Sequence, residues 1–351
     1  MENDLLAAAG LAPLGHEPPD DPAPDPAVEP SGFVVPADDG TRIHFLEWPE
    51  PARAGAPGAP RSKGVLLIHG VAQTAWVWAP VARRLAATAH VVASDLRGHG
   101  LSDAPAVGYD LATLAGDALA AAEGAGLIHA GPAAPMSAAA PIGSGTLEGA
   151  GGLGDSPPLV LAGHGFGAAV AATLAARLGP RCSGLVLVDG GWDDSDRAAG
   201  TTLDEWLRSV EEPPEVLRTM ATFLADREGY DPASWDLDQE RAARASVVEL
   251  AAGRVVSSAR RHAVAGVGAS LLAYDAAATL ASVTAPIVAL VARDDADGAR
   301  TAALARAGSA VVSAGGRPPR YRLFADAGHN LMRYRPGEVA AAILAAASVR
   351  G

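Results

Sequence analysis

Cysteine is nearly absent. Cys182 is the only one in the chain, so no disulfide can close within it and nothing in the composition marks an oxidising compartment; a cytoplasmic protein is expected. Positive charge is missing from the start of the chain. The first forty residues hold nine acids and no Lys or Arg, and the chain as a whole carries a net charge of -13. With no basic stripe to meet phosphates, nucleic acid is not an expected partner. The opening MENDLLAAAG is acidic where a secretory leader is basic, and no later segment reaches about 18 consecutive apolar residues, so no membrane partner is expected either. There is no GxxxxGK[ST] phosphate loop, and no His, Cys, Asp and Glu cluster has metal-ligand spacing. Neither a metal nor a cofactor is expected.

Hydrophobic residues make up 49% of 351 positions and charged ones 19%, enough for one sizeable core with a possible subdomain. Seven prolines stand among acids between residues 13 and 30, a composition that cannot offset chain entropy by burial, and residues 1–30 read as a disordered tail. Residues 131–158, GPAAPMSAAAPIGSGTLEGAGGLGDSPP, read as a flexible insertion. Elsewhere short apolar runs such as GVLLI, LVLA, GLVLV and IVALV alternate with helical stretches, the pattern of strands buried on both faces of a parallel sheet. Residues 31–192 and 283–351 thus form an α/β core with helices on both faces. Residues 193–282 break the strand rhythm with amphipathic pieces and read as a helical cap over the carboxyl edge of the sheet, where open α/β sheets bind ligands.

Four segments carry chemistry. They are LLIHGVAQTAWVW from Leu66, SDLRGHGLSD from Ser94, GHGFG from Gly163, and the pair PIVALVARDDADG from Pro286 with FADAGHNLM from Phe324. In this order they resemble the landmarks of the α/β-hydrolase superfamily in its capped branch, and the resemblance runs from about Ser31 to Ala347. It implies a mostly parallel eight-stranded sheet. It also implies roles: the backbone N–H of Val71, after Gly70, and that of Phe166 as oxyanion donors, His329 as the base, and Asp295 as the acid that orients it, with Asp189 in LVDGG as the alternative acid. The SDLRGHGLSD loop, by the same resemblance, organises backbone. His164 occupies the second place of the elbow GHGFG and reads as packed beside the substrate pocket. Trp206, Met220 and Phe223 in the cap read as pocket lining or as cap core.

Where the resemblance calls for a serine nucleophile, the chain has Gly165. A glycine relieves the strain of a positive-φ turn, and it also removes the attacking oxygen. Three readings stay open on these residues. One is an enzyme acting on a small apolar ester or carbonyl compound through a His-Asp dyad and activated water. Another is a non-catalytic binder of small molecules that keeps the pocket and discards the chemistry. The last is a chain whose serine was replaced deliberately. Nothing in the sequence speaks to oligomeric state.

Overall fold

The computed structural model describes residues 2–15, 28–48, 63–128, 159–194, 199–210, 218–292 and 298–346. In chain order the strands are β1 (Ala12–Pro13), β2 (Ser31–Pro36), β3 (Arg42–Trp48), β4 (Lys63–Ile68), β5 (Ala89–Ser94), β6 (Leu159–His164), β7 (Cys182–Val188), β8 (Arg218–Thr219), β9 (Val247–Glu249), β10 (Arg254–Ser257), β11 (Ile287–Ala292) and β12 (Arg320–Phe324). Nine of them form one sheet in the order β1-β12-β11-β7-β6-β4-β5-β3-β2. Pairing is parallel from β1 to β5, whereas β3 and β2 join antiparallel at the far edge.

The central strands are apolar along their whole length because both of their faces are covered. All six residues of β6 and of β11 are buried. Helices Leu111–Gly124, Phe166–Leu178 and Ala299–Ser313 close one face of the sheet, and helices Ala79–Leu85 and Pro336–Ala346 close the other. With the sheet parallel, β4, β6, β7, β11 and β12 all end at one edge. His69, Gly165, Asp189 and the loop to His329 follow there.

Two expectations need correction. Residues 1–30 are not wholly a disordered tail: helix Glu2–Ala8 and β1 dock on the core, adding a ninth strand to the eight expected. The reason is apolar burial, which the acids and prolines further along hide. Leu6 and Leu11 are fully packed, the absent side chain of Gly308 makes room for Leu11, and the Leu14 N–H donates to Tyr321 O at 2.7 Å. The cap, likewise, is not purely helical. Helices Leu203–Val210, Met220–Tyr230, Leu237–Ala245, Arg261–Ala273 and Ala276–Ala281 share residues 193–282 with a small antiparallel sheet, β8-β10-β9. Its strands are two to four residues long and largely exposed, too short to show a period of two. The insertion expected at 131–158 lies outside the described residues.

Cap and core are tied by charge. Arg83, buried on helix Ala79–Leu85, pairs with Asp238 of the cap and with Glu29, and Glu29 in turn holds Arg241 of the cap at 2.7 Å.

Candidate active site

The bend after β6 is crowded with glycines for steric reasons. A Cβ on Gly163 would lie 2.2 Å from Gly167 O, one on Gly167 would lie 2.3 Å from His69 O, and one on Gly190 would lie 2.5 Å from Gly165 O. None of these positions admits a side chain. Gly165 differs. Its φ of 53° and ψ of -121° are those of a strained turn, yet the atoms nearest a Cβ there are His329 Nε2 at 3.4 Å, His329 Cε1 at 3.6 Å and Gly70 Cα at 3.9 Å, which is ordinary contact. The space for a side-chain carbon is open, and it faces an imidazole.

That imidazole stands in the loop between β12 and helix Leu331–Tyr334. His329 Nδ1 lies 2.5 Å from Asp189 Oδ2, at the end of β7. The remaining oxygen, Oδ1, accepts from the Ala292 N–H and from Arg300 Nη2, both at 2.9 Å. Burial alone would raise the Asp189 pKa, but the bond to His329 and the Arg300 charge hold it down to about 2. An ionised carboxylate only accepts, so Nδ1 carries the hydrogen and Nε2 presents its lone pair toward Gly165. The carboxylate is wholly buried while the imidazole side chain is 52% exposed, so one partner is fixed and the other is open to solvent and ligand.

The acid beside the imidazole is therefore the alternative one. Asp295, the first choice from sequence, lies outside the described residues, and the nitrogen it was expected to hold is already bonded to Asp189. The two glycines after Asp189 carried the signal: Gly190 and Gly191 press against Gly165 and Ala168 and bring the end of β7 under the bend.

The loop after β4 is held in place by its own side chains. The His69 Nδ1–H donates to Gly70 O at 2.7 Å, and Nε2 accepts from the Leu96 N–H at 3.0 Å, as a neutral ring can. Ala72 takes a φ of 58°, and Gln73 Oε1 accepts the Gly70 N–H at 3.0 Å while its Nε2 donates to Asn330 Oδ1 at 2.8 Å. Gln73 thus couples the Val71 loop to the His329 loop, a role that no sequence motif announces. Phe166 begins the helix after the bend, where helix geometry leaves an N–H without an intrahelical acceptor and the dipole favours negative charge.

His164 lies under His329, ring centroids 4.4 Å apart, with Nδ1 3.0 Å from Gln73 Oε1 and Nε2 3.0 Å from His329 O. Both neighbours accept, and a neutral ring donates to only one of them. The SDLRGHGLSD loop arranges backbone: Asp95 receives the Ala75 and Leu101 N–H groups, and Arg97 makes two 2.6 Å bonds to Asp117. Of the cap aromatics, Trp206 packs with Ala259 and Val264 against Val71. Met220, half-buried, and Phe223, buried below Arg227, stand on a helix that packs on other cap elements. Arg333, four residues after His329, sits 5.9 Å from the ring of Trp235 and bonds Ser234 Oγ at 2.6 Å.

A bend at the end of one strand, an acid at the end of the next and a histidine after the last make the plan of a known fold. Residues 65–342 match the model of the alpha/beta hydrolase family. The chain belongs to that family. Among solved structures this alpha/beta hydrolase is similar to an E-2-(acetamidomethylene)succinate hydrolase (TM-score 0.64, 18% identity, 90% of this chain and 98% of that one). It is also similar to a thioesterase domain from the curacin biosynthetic pathway (0.60, 19%, 90% and 99%) and to the enol-lactonase from Burkholderia xenovorans LB400 (0.57, 16%, 90% and 99%). No curated protein matches this chain by sequence. Identities this low establish the fold. Among the described residues no helix is long and apolar enough to cross a membrane, and no group of three or more His, Cys, Asp and Glu could hold a metal ion.

The buried histidines of this hydrolase fold carry a stability expectation. Burial, helped by His69, lowers the His99 pKa to about 4; burial, helped by the nearby His329, lowers that of His164 to about 3. The unfolded chain, with histidines near 6.5, binds protons first as pH falls. The stability contributed by the neutral rings is complete above about pH 6.5 and drains away below it, toward the folded values. Denaturant midpoints at pH 7 and pH 5 are expected to show a loss on the order of 2 kcal/mol per histidine; equal stabilities at the two values would contradict this.

Proposed function

We propose that the chain hydrolyses a small apolar ester or related carbonyl compound with activated water and no covalent enzyme intermediate. One observation carries the reading: His329 Nε2 faces the side-chain position of Gly165 at 3.4 Å while Asp189 holds the opposite nitrogen. Removing CH₂–OH from a serine leaves room for about one water, whose share of liquid volume is about 30 Å³. A water there donates to Nε2. As its oxygen bonds to the carbonyl carbon, its proton passes to Nε2, and the Asp189 carboxylate stabilises the imidazolium. The carbonyl oxygen becomes an oxyanion received by the N–H groups of Val71 and Phe166. Collapse breaks the bond to the leaving group, which takes the proton from the imidazolium. The products are an acid and an alcohol, and the dyad is restored.

Similar folds are named for a thioesterase domain and an enol-lactonase, and that supports a carbonyl substrate here. The apolar wall of Trp206 and Val71 suits its non-reacting part. Progress curves with nitrophenyl esters and lactones, joined to intact-mass analysis during turnover, test the absence of a covalent step. Linear release from the first turnover with no acyl adduct is expected. A burst together with an adduct would contradict it.

A further inference from the structure

Arg300 belongs to no sequence motif, yet it bonds Asp189 at both the carboxylate and the backbone oxygen. It is the second residue of helix Ala299–Ser313, and its side chain is 19% exposed. Nη2 donates to Asp189 Oδ1 at 2.9 Å and to Asp189 O at 3.2 Å, Nε donates to Asp193 Oδ2 at 3.0 Å, and the guanidinium carbon lies 5.9 Å from the ring of Trp192. Asp189 itself has a φ of 48°, in the left-handed region that a non-glycine residue keeps only when its surroundings over-determine it. One guanidinium nitrogen donating to both the carboxylate and the carbonyl of Asp189 helps to do that.

We infer that Arg300 is a positioning residue for Asp189 and a counter-charge that limits how strongly the carboxylate draws a proton onto His329. The inference rests on the dyad reading above. The charged and titratable groups around the imidazole, among the described residues, are few. Asp189 bonds it from the end of β7, His164 packs below it from β6, and Arg300 stands behind Asp189 with Asp193 on its far side. On the imidazole's own side Arg333 is turned to Ser234 and to the Asp231 carbonyl, while His69 and Asp95 lie behind the loop after β4. Among the described residues, Arg300 is the cation bonded to the far oxygen of Asp189. By Coulomb's law it weakens the pull of that carboxylate on an imidazolium.

The consequences differ in sign from those of a merely structural grip. In Arg300→Gln a donor remains but the cation is gone, so the carboxylate favours the imidazolium more. The midpoint of the His329 imidazole titration, followed by NMR of the ring protons, is expected to rise by about one pH unit. Arg300→Lys keeps the charge and is expected to stay near the wild-type midpoint. Asp193→Asn removes one anion from beside the guanidinium and moves the midpoint down. If Arg300 only held Asp189 in place, both Gln and Lys would release the carboxylate and lower the midpoint together. That result, or no change in Arg300→Gln, would overturn the inference. Should Arg300→Gln fail to fold, the Arg300→Lys and Asp193→Asn pair decides: a midpoint near wild type for Lys with a fall for Asn supports it, and a fall in both or in neither overturns it. The titration needs no turnover, so a chain without hydrolase activity would defeat the proposed reaction and leave this test standing. Where hydrolysis is measurable, the acid limb of its rate–pH profile is expected to shift with the imidazole.

Discussion

Gly165→Ser is expected to raise the rate of short-chain ester hydrolysis by at least about a thousandfold. Removing the serine from a complete Ser-His-Asp site costs about a millionfold in turnover, and oxyanion donors with substrate binding preserve some 10³ to 10⁴ over water, so restoring it should recover much of the difference. The gain depends on geometry already in place. A Cβ at this position meets nothing closer than 3.4 Å, and what it meets is the nitrogen that would take the hydroxyl proton. The variant pays in stability, because a serine at a φ of 53° costs roughly 1 to 3 kcal/mol, and its Tm should fall by several degrees. Intact-mass analysis with a phosphonate ester should show one adduct on the variant and none on the wild type. In the serine background, Asp189→Asn should remove about 10⁴ of the new rate, since the imidazole then loses its tautomer, while Asp295→Asn should keep it. An inert, folded Gly165→Ser would mean that the bend and the imidazole are not aligned for attack.

Much of this site could be read before the fold was seen. Gly163, Gly165 and Gly167 announce a tight bend, and the loop FADAGHNLM places its histidine after the last strand. The choice of acid could not be read in the same way. β7 and β11 are neighbours in the sheet, so the loops that begin at Asp189 and after Ala292 leave side by side, and spacing along the chain does not say which one reaches the imidazole. Gln73, Arg300 and Arg333 escaped notice for a different reason. Each is a polar residue with no motif of its own, and each acquires meaning only when loops distant in sequence meet. The cap's small sheet was hidden by its brevity. The docked segment at residues 2–15 was hidden by averaging, since the apolar run DLLAAAGLA precedes a much longer acidic and proline-rich stretch.

The second large effect belongs to His329. In the proposed reaction His329 Nε2 is the proton acceptor for the attacking water, and general-base catalysis is worth about 10² to 10⁴ in rate. Replacing the imidazole by a methyl group removes that acceptor and leaves Asp189 buried with Arg300, and the Phe166 and Val71 amides remain on the backbone. The decisive comparison is of initial rates of wild type and His329→Ala on one panel of short-chain esters and lactones. A measurable wild-type rate is expected that falls at least about a hundredfold in His329→Ala. Equal rates in the two proteins, or a wild type that binds a panel member tightly and never turns it over, would contradict it.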